Sequence, residues 1–484
     1  MTRGSAFLNS LNDNRNVWMN GERIEVGSHP AFRGTLATIR ELFDMADHPD
    51  TREQLAHYDS STDSYVHHAF LVPHNKEDLD KRSAAARIWS ESTFGVMSRL
   101  SDYARSRLTG WYATRQSYTS FDKQFDGKIA AYYTEAKARD LFLTAVQREP
   151  QTDRSKALGE DPDAILRIIR KTSEGVIIRG AKMIATAGPY ANDFIVYPVQ
   201  KIPQSHPECA NMLIVPASSA GLHILCRESF AENHPNEDHP LGSRFDEMDA
   251  ILFFDDVLVP WERVLLYDNP EALWKIRTNQ ASNSLAYHQS IVRLQTKLEF
   301  VAGITFFIAR EIGVDGYINV QEKLGELVSQ IESIKALIIA SEVEARLDEF
   351  GNLIPKFSYI ETARNLGTRY YPRAIEILKT IGAGGFIQVP SSCADLESPI
   401  AHLIRKYLNG TTVNADQRVR LFKLAWDLIG SQLGARHELY ERFYAGDPTR
   451  NFANQYVNFD KTGLYAKVSA FLDRTDKLRA QPSL

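Results

Sequence analysis

Hydrophobic residues change their spacing twice along the chain, which predicts three regions of different secondary structure. In the first region, residues 83–115 are rich in helix formers and carry apolar side chains at roughly helical spacing. The second region contains short runs rich in Val, Ile, Leu and Phe, separated by Gly, Pro, Asn and Ser, which is typical of strands. Their close spacing predicts a compact β-barrel or sandwich. The runs cover 175–185, 192–199, 211–217, 221–226 and 249–260.

The third region returns to helical spacing over longer stretches. One stretch places seven aliphatic residues on a single helical face: Ile291, Leu294, Leu298, Val301, Ile304, Ile308 and Ile312. A second does the same with Leu324, Leu327, Val328, Ile331, Ile334 and Ile338. A third long helix is predicted through residues 421–444. Several long amphipathic helices at the end of a chain indicate a helical bundle.

The predicted fold class is therefore α+β and mainly α. Residues 1–140 are expected to form an N-terminal helical domain, and residues 141–275 a β-domain. Residues 276–484 are expected to form a C-terminal bundle with a tail that takes part in oligomerisation. This order is not a βαβ alternation, and neither GxGxxG after a predicted strand nor GxxxxGK[ST] occurs. The pattern thus disfavours a Rossmann or P-loop nucleotide site.

Composition narrows the class of protein further. Of 484 residues, 43% are hydrophobic and 24% are charged, as in an ordinary globular protein. A net charge of -5 gives no general attraction to nucleic acid or to an anionic membrane. The N-terminus lacks the apolar stretch of a signal peptide, and no apolar run is long enough to span a bilayer. We therefore expect a cytoplasmic protein with neither nucleic-acid nor membrane partners.

The three cysteines predict neither a disulfide framework nor a metal site. Cys209, Cys226 and Cys393 are far apart and odd in number, which argues against a disulfide framework. No CxxC or clustered Cys/His pattern suggests zinc or an iron–sulfur cluster.

Several segments resemble one known family in the same order along the chain. They are 99–103, 150–154, 180–186, 243–252, 259–262, 434–440 and 444–446. Through them the chain resembles the oxygenase component of two-component flavin monooxygenases, the 4-hydroxyphenylacetate 3-monooxygenase family. Relatives in that family act on chlorophenols, nitrophenols and phenol. The resemblance covers nearly the whole chain and implies an acyl-CoA-dehydrogenase-like fold, usually as a homotetramer.

The resemblance also implies a chemistry. Reduced flavin (FADH2) would react with O2 to give a C4a-hydroperoxyflavin that hydroxylates a phenolic or related aromatic ring. Because no nicotinamide site is visible in the sequence, a separate NAD(P)H:flavin reductase is expected to deliver the FADH2. The alternative function is an acyl-CoA dehydrogenase or dehydratase on the same fold, and a third is a non-catalytic flavin-binding homologue.

The related 4-hydroxybutyryl-CoA dehydratases argue against the dehydratase alternative. That branch requires an iron–sulfur cluster held by three cysteines and a histidine. Arg99 and Tyr103 stand here where two of those cysteines would be, and the chain's own cysteines do not supply the set.

Three residues are candidates for the substrate chemistry. The resemblance places Arg99 against the substrate, with Tyr103 four residues on and hence on the same face of a helix. It also implies that His288 is the proton acceptor, a role suited to a side chain that titrates near neutral pH. The alternatives without a catalytic role are a surface arginine, a half-buried tyrosine and a histidine that is hydrogen-bonded to backbone.

The chain departs from its relatives at one substrate position. Hydroxylases of 4-hydroxyphenylacetate have a substrate-contacting histidine shortly before the 150–154 segment, and Ala145 stands there in this sequence. This favours a halophenol, nitrophenol, phenol-like or unassigned aromatic substrate. The loop that begins at Tyr197 and Pro198 resembles a substrate-side lid, and an ordinary surface hairpin is the alternative.

Flavin contacts are implied at three places. Gln151, Thr152, Asp153 and Arg154 resemble the family's loop beside the isoalloxazine ring, although the same residues make a good polar turn. Thr186 would offer a hydroxyl to the flavin. Residues Ala445, Gly446 and Asp447 resemble a C-terminal flavin turn, or simply a helix end. The run 382–385 is a weaker candidate for a close approach to a cofactor phosphate.

Overall fold

The computed structural model describes residues 1–151, 153, 155–156, 165–232 and 235–480. The N-terminal region is largely helical, as predicted. Its helices are α1 (Arg3–Ser10), α2 (Arg33–Asp44), α3 (Pro49–Leu55), α4 (Lys76–Ser92), α5 (Ser101–Ala113) and α6 (Phe125–Ala138).

A tight turn separates α4 from α5 within the helix-rich segment 83–115. Phe94 and Gly95 both have positive φ, 53° and 67°. A Cβ on Gly95 would lie 2.7 Å from the backbone nitrogen of Lys297 and 2.8 Å from the carbonyl oxygen of Arg293. Only glycine allows this close approach to the C-terminal bundle, which sets where α5 begins.

The central region forms two sheets, and all five predicted strand runs are strands. The strands along the chain are β1 (Val17–Met19), β2 (Glu22–Ile24), β3 (Ala56–Asp59), β4 (Ser64–His67), β5 (Leu143–Val146), β6 (Arg167–Lys171), β7 (Gly175–Thr186), β8 (Asp193–Val196), β9 (Met212–Pro216), β10 (Leu222–Cys226), β11 (Asp249–Pro260), β12 (Val264–Leu266), β13 (Arg346–Leu347) and β14 (Leu353–Ile354).

The larger sheet has the order β2-β1-β10-β11-β7-β6, and the smaller has the order β12-β9-β8-β5. Most neighbours are antiparallel, whereas β1 with β10 and β5 with β8 run parallel. Two short N-terminal strands thus extend the larger sheet. The long strands β7 and β11 pair so that Thr186, the last residue of β7, faces Asp249, the first of β11.

Two short helices lie within or at the end of the central region, α7 (Gly242–Phe245) and α8 (Pro270–Arg277). The C-terminal region is a helical bundle. Its helices are α9 (Gln280–Glu311), α10 (Ile318–Val343), α11 (Phe357–Gly382), α12 (Ala401–Tyr407), α13 (Ala415–Ile429), α14 (Gln432–Phe443), α15 (Pro448–Asn458) and α16 (Thr462–Ala480). The 32-residue α9 packs against α4, α5, α10 and α11. Six of its seven predicted face residues are buried, and Ile312 is partly buried.

The prediction of one helix through residues 421–444 was wrong. Gly430 ends α13, and the Ser431 side chain accepts a hydrogen bond from the backbone N–H of Gly434, which caps the start of α14. A glycine followed by a serine N-cap thus interrupts a continuous apolar pattern. On α10, Val328 is 48% exposed although the pattern placed it on the packed face.

No helix among the described residues combines the length and hydropathy that crossing a bilayer requires. Two helices of the C-terminal bundle are joined by buried charge. Glu441 of α14 is 3% exposed and pairs with Arg293 and Lys297 of α9, which are 1% and 0% exposed. Burial alone would raise the pKa of Glu441, but the two cations lower it to about 2. Burial lowers the pKa of Lys297 to about 8, so Arg293 keeps its positive charge to a higher pH than Lys297 does.

We expect Glu441→Gln to lower the free energy of unfolding by about 3–5 kcal/mol, because two buried cations lose their carboxylate. Glu438→Gln, on the same helix but partly exposed, should cost less than about 1 kcal/mol. Since the folded pKa of Glu441 is depressed, its contribution is full above the unfolded value of about 4.3 and is lost as the pH falls towards 2. Urea denaturation between pH 7 and pH 3 measures both effects. Equal losses in the two variants would contradict the assignment.

Candidate active site

Arg99 and Tyr103 lie together at the start of α5. Arg99 stands two residues before the helix, and Tyr103 lies in its first turn. The guanidinium carbon of Arg99 is 4.0 Å from the ring centroid of Tyr103 and 4.3 Å from that of Tyr444. The cation is therefore held between two aromatic rings, whose faces attract positive charge. The structure brings the two predicted residues into contact and adds Tyr444 to them.

The positive charge of Arg99 is not balanced within the described part of the chain. Its guanidinium forms no ion pair there, and its Nε donates to the hydroxyl of Tyr440 at 3.2 Å. Glu247 accepts from the backbone N–H groups of Ser98, at 3.0 Å, and of Arg99, and its carboxylate pairs with Arg436. An arginine cannot shed its charge near neutral pH, so this position favours an anionic or electron-rich group beside it.

Tyr440 connects Arg99 to the predicted flavin-side hydroxyl. The Tyr440 and Thr186 hydroxyls lie 3.2 Å apart, and Thr186 donates to Asp249 at 2.7 Å. Burial would raise the pKa of Asp249, but Arg436 and Arg227 lower it to about 2, so the carboxylate stays charged. One hydrogen-bonded chain therefore runs from the predicted substrate residue to the predicted flavin residue.

Arg107 holds Tyr197, the first residue of the predicted substrate-side loop. Arg107 lies one helical turn beyond Tyr103 in α5, and its guanidinium donates to the Tyr197 hydroxyl at 3.2 Å and to the side chain of Asn283. Tyr197 is 1% exposed, and Pro198 after it is buried as well. At its root, the predicted loop is therefore anchored to α5 and α9.

Tyr287 lies on α9 in the same neighbourhood. The guanidinium carbon of Arg364 is 3.4 Å from its ring centroid, and that of Arg107 is 5.9 Å away. Burial would raise the pKa of Tyr287, but Arg364, Arg107, Arg277 and Arg99 together lower it to about 8. A hydroxyl in so positive a setting ionises more readily than an ordinary tyrosine.

His288 follows Tyr287 but lies in a different group of residues. Its Nε2 is 2.9 Å from the Glu342 carboxylate, and the imidazole lines a small cavity together with Arg82 and Asp102. Successive residues of a helix are separated by about 100°, so Tyr287 and His288 face different neighbours. The structure thus groups Arg99 with Tyr103 and sets His288 beside Asp102. The proton-acceptor role of His288 stays a prediction.

The residues predicted around the flavin are only partly described. Gln151 is exposed, and the exposed Asp153 accepts from Ser155 in a local turn. Thr152 and Arg154 lie outside the described residues. The isoalloxazine-side role of this loop stays a prediction.

The second predicted flavin segment is a sharp turn between two helices. Gly446 has a φ of 105°, and Asp447 caps α15 by accepting from the backbone N–H of Thr449 at 3.0 Å. The Ala445 carbonyl accepts from Asn451 at 2.9 Å. The positive φ accounts for the glycine, because L side chains rarely adopt this backbone conformation. The flavin role of the turn stays a prediction. At 382–385 packing accounts for Gly382, because a Cβ there would lie 2.2 Å from the ring of Phe386.

Comparison with known proteins covers nearly the whole chain. The model of the 4-hydroxyphenylacetate 3-hydroxylase N-terminal domain matches residues 3–266, and that of the C-terminal domain matches residues 275–473. The chain belongs to this family. It is 34% identical over 479 residues to the 4-hydroxyphenylacetate 3-monooxygenase oxygenase component of Thermus thermophilus, covering 98% of each chain. It is 31% identical to a Rhodococcus 4-nitrophenol 2-monooxygenase oxygenase component, covering 92% of this chain and 86% of that one.

A solved structure of the family oxygenase component, complexed with FAD and 4-hydroxyphenylacetate, superposes with a TM-score of 0.93. It is 34% identical, and 99% of each chain is covered. An archaeal 4-hydroxybutyryl-CoA dehydratase shares the fold with a TM-score of 0.86 at 20% identity, which bears on the fold alone. The predicted family and fold class are thereby confirmed.

Several residues of this region were not predicted, among them Tyr440, Tyr444, Tyr287 and Arg364. Tyr440 and Tyr444 belong to segments that resemble the family, which was a usable signal. Tyr287 and Arg364 carry no local signal, because their contact joins α9 to α11 over 77 positions.

We expect Tyr440→Phe to reduce kcat/KM for a phenolic substrate about 3- to 10-fold, because Arg99 and Thr186 lose the hydroxyl that bridges them. Steady-state hydroxylation with supplied FADH2 measures this. Tyr456→Phe, at a ring that is 67% exposed, is the matched control and should be silent. Identical kinetics in the two variants would remove Tyr440 from the site.

Proposed function

We propose that the chain is the oxygenase component of a two-component monooxygenase that uses FADH2 and O2 to hydroxylate a phenolic ring. The observation that carries this proposal is the unbalanced Arg99 cation between Tyr103 and Tyr444, connected through Tyr440 to Thr186. It lies in a chain that matches the family from end to end.

Arg99 answers the main chemical demand of the reaction. A phenolate ring attacks an electrophilic oxygen far better than a phenol, and a phenol with a pKa of about 10 costs about 4 kcal/mol to ionise at neutral pH. A desolvated guanidinium beside the phenol oxygen offsets much of this cost through a charge-assisted hydrogen bond. Tyr103 and Tyr444 hold the guanidinium without neutralising it.

Thr186 and the turn at Ala445, Gly446 and Asp447 are the residues that would hold the flavin, together with the loop 151–154. Reduced flavin, when bound, would supply the electrons that activate O2 for transfer of one oxygen atom to the ring. The hydroxyl of Thr186 is fixed by Asp249 and Tyr440, so its direction is set before any ligand arrives. Such preorganisation reduces the cost of binding and orientation.

Two features of the chain indicate partners: the absence of a nicotinamide motif from its sequence and an exposed apolar face on α16. The sequence has no nicotinamide fingerprint, so a separate NAD(P)H:flavin reductase would supply FADH2. On α16, the side chains of Leu464, Tyr465, Val468 and Leu472 share one helical face and are 51% to 63% exposed. An apolar face of this kind is typical of a subunit interface, which supports an oligomer. The homotetramer is what the family resemblance implies.

The purified chain should hydroxylate a phenol only when FADH2 and O2 are both supplied. With NADH and FAD but no reductase, we expect neither NADH oxidation nor product, and adding any flavin reductase should restore both. Product is read by mass spectrometry across a panel of phenols. Product from NADH with the purified chain alone would contradict the proposed function.

We also propose His288 as the acceptor of the phenol proton. Glu342 binds its Nε2, which leaves Nδ1 as the basic nitrogen. Asp102 lines the same cavity as His288 and directly precedes Tyr103 in α5. Burial raises the pKa of Asp102 to about 7, which suits a group that passes protons near neutral pH.

His288→Asn should lower the yield of hydroxylated product about 10²- to 10⁴-fold and raise hydrogen peroxide per FADH2 consumed. The acid limb of the pH profile should change with it, because deprotonated base is no longer required. Glu342→Gln keeps a hydrogen-bonding partner for the ring and should have a smaller effect on yield. If His288→Asn kept wild-type coupling and pH dependence and only unfolded more easily, by about 1–3 kcal/mol, His288 would be structural.

A further inference from the structure

Four buried polar residues of β4, α5 and α9 line one small cavity. They are His67, Asp102, His288 and Gln289, and each is at most 4% exposed. The cavity has a volume of about 10 Å³, which is the room that one water molecule needs. Buried polar groups are normally hydrogen-bonded, so a group without a protein partner at this cavity indicates a bound molecule.

Three of the four side chains have a buried atom without a hydrogen-bond partner in the described chain. These atoms are Nε2 of His67, Oδ2 of Asp102 and Oε1 of Gln289. The Nδ1 of His67 accepts from the backbone N–H of Ala69 at 3.0 Å, so Nε2 carries the ring hydrogen. The amide nitrogen of Gln289 donates to Oδ1 of Asp102 at 3.2 Å, which leaves its oxygen as an acceptor. The cavity is therefore bordered by one free donor and two free acceptors.

His288 adds a nitrogen whose role depends on the charge of the ring. Its Nε2 is 2.9 Å from Glu342. Burial would raise the pKa of Glu342, but the hydrogen bond with His288 lowers it, so Glu342 is a carboxylate that accepts from Nε2. The Nδ1 of His288 forms no hydrogen bond with a residue that the structure describes. Nδ1 accepts a hydrogen bond when the ring is neutral and donates one when the ring is protonated.

One water molecule satisfies all four groups only when Asp102 and His288 hold a single proton between them, since water donates two hydrogen bonds and accepts two. With the proton on His288, both histidines donate to the water, and it donates to Asp102 and Gln289. With the proton on Asp102, this carboxyl group and His67 donate to the water, which donates to the other two. With no proton on the pair, three acceptors compete for two hydrogens. With two protons, three donors compete for two lone pairs.

The charges around Asp102 allow it to hold that proton. Burial raises the pKa of Asp102 to about 7, although Gln289, Arg105 of α5 and Arg82 of α4 act in the opposite direction. Both guanidinium groups direct their bonds elsewhere, to backbone carbonyl groups, a serine hydroxyl and another carboxylate. Burial and Arg105 lower the pKa of His67 well below its usual value, so this ring is neutral. His288 is therefore the group at the cavity that can take the proton from Asp102.

We propose that the cavity binds one water molecule through which Asp102 and His288 share a single proton. In the transfer, the O–H bond of Asp102 breaks and its proton joins the water, while another proton of the water bonds to Nδ1 of His288. Asp102 is then a positioning residue that sets the pH range in which His288 can accept a further proton. This link to catalysis rests on the proposed function, in which His288 accepts the phenol proton.

Infrared difference spectroscopy of the resting protein tests the shared proton without flavin, substrate or turnover. A titration from about pH 5 to about pH 9 should show the C=O band of a protonated carboxyl group, and Asp102→Asn should remove it. In His288→Asn the band should persist about one pH unit higher, because Asp102 loses a neighbour whose positive charge favours the carboxylate. Absence of the band from wild type would overturn the proposal, and so would identical titration in wild type and His288→Asn.

The pH profile of hydroxylation with supplied FADH2 tests the positioning role. Asp102→Asn should move the acid limb about one unit lower, because protonated His288 loses the carboxylate that stabilises it. Asp193→Asn is the matched control: Asp193 of β8 is 5% exposed and pairs with Arg263, and its replacement should leave the acid limb in place. An unchanged acid limb in Asp102→Asn, with only a lower stability, would make Asp102 structural.

A crystal structure of the resting protein tests the water itself. One water molecule should lie within hydrogen-bond distance of all four side chains, and a direct contact between Asp102 and His288 would overturn the bridge. If Asp102→Asn fails to fold, the shift of the infrared band in His288→Asn decides alone. Coupled titration in a protein that hydroxylates no phenol would support the shared proton and contradict the proposed function.

Discussion

The buried carboxylate of Glu441 is the interaction on which the arrangement of the site depends. It needs both Arg293 and Lys297, and both lie on α9, so the rotation of α14 about its own axis is constrained. Tyr440 and Tyr444 stand one residue before and three residues after Glu441 on the same helix. Fixing Glu441 therefore fixes the hydroxyl that reaches Thr186 and the ring that covers Arg99. The guanidinium carbon of Arg293 also lies 4.8 Å from the ring centroid of Tyr444. Arg293 therefore contacts both the buried carboxylate and the ring that covers Arg99.

The cations of this molecule have two kinds of surroundings. Those that stabilise the fold differ from those that face the candidate site. Where a cation serves the scaffold, a carboxylate meets it inside the protein, as at Arg436 and Asp249. Where a cation faces the site, aromatic rings hold it and its charge is left uncompensated, as at Arg99 and Arg364. Aromatic faces attract a cation at lower cost than a second buried charge and leave its N–H groups available. A region rich in arginine and tyrosine but poor in carboxylate is therefore suited to anionic ligands.

Periodicity alone predicted the three regions, the five strand runs and the face of α9, because these depend on which residues are apolar along one element. It failed where a local signal interrupts the pattern, as at Gly430 and Ser431, whose capping chemistry outweighs apolar spacing. Arg99, Tyr103 and Thr186 were found through short segments that resemble the family. Tyr287 and Arg364 were not, since nothing in either local sequence reveals that α9 and α11 bring them together. Contacts between distant elements depend on tertiary packing, and spacing within one element does not encode them.

Two neighbouring residues on α9 show how precisely a side chain must be placed before its role can be predicted from sequence. Tyr287 and His288 are adjacent, yet the helical turn of about 100° between them sends one ring towards Arg364 and the other towards Glu342. A family resemblance specifies a position to within a residue or so, and on a helix that interval separates two different sets of neighbours. The position of the proton acceptor is therefore a question about helix rotation. Because Glu342 and Arg364 sit on α10 and α11, the packing of those two helices against α9 decides which ring meets the substrate.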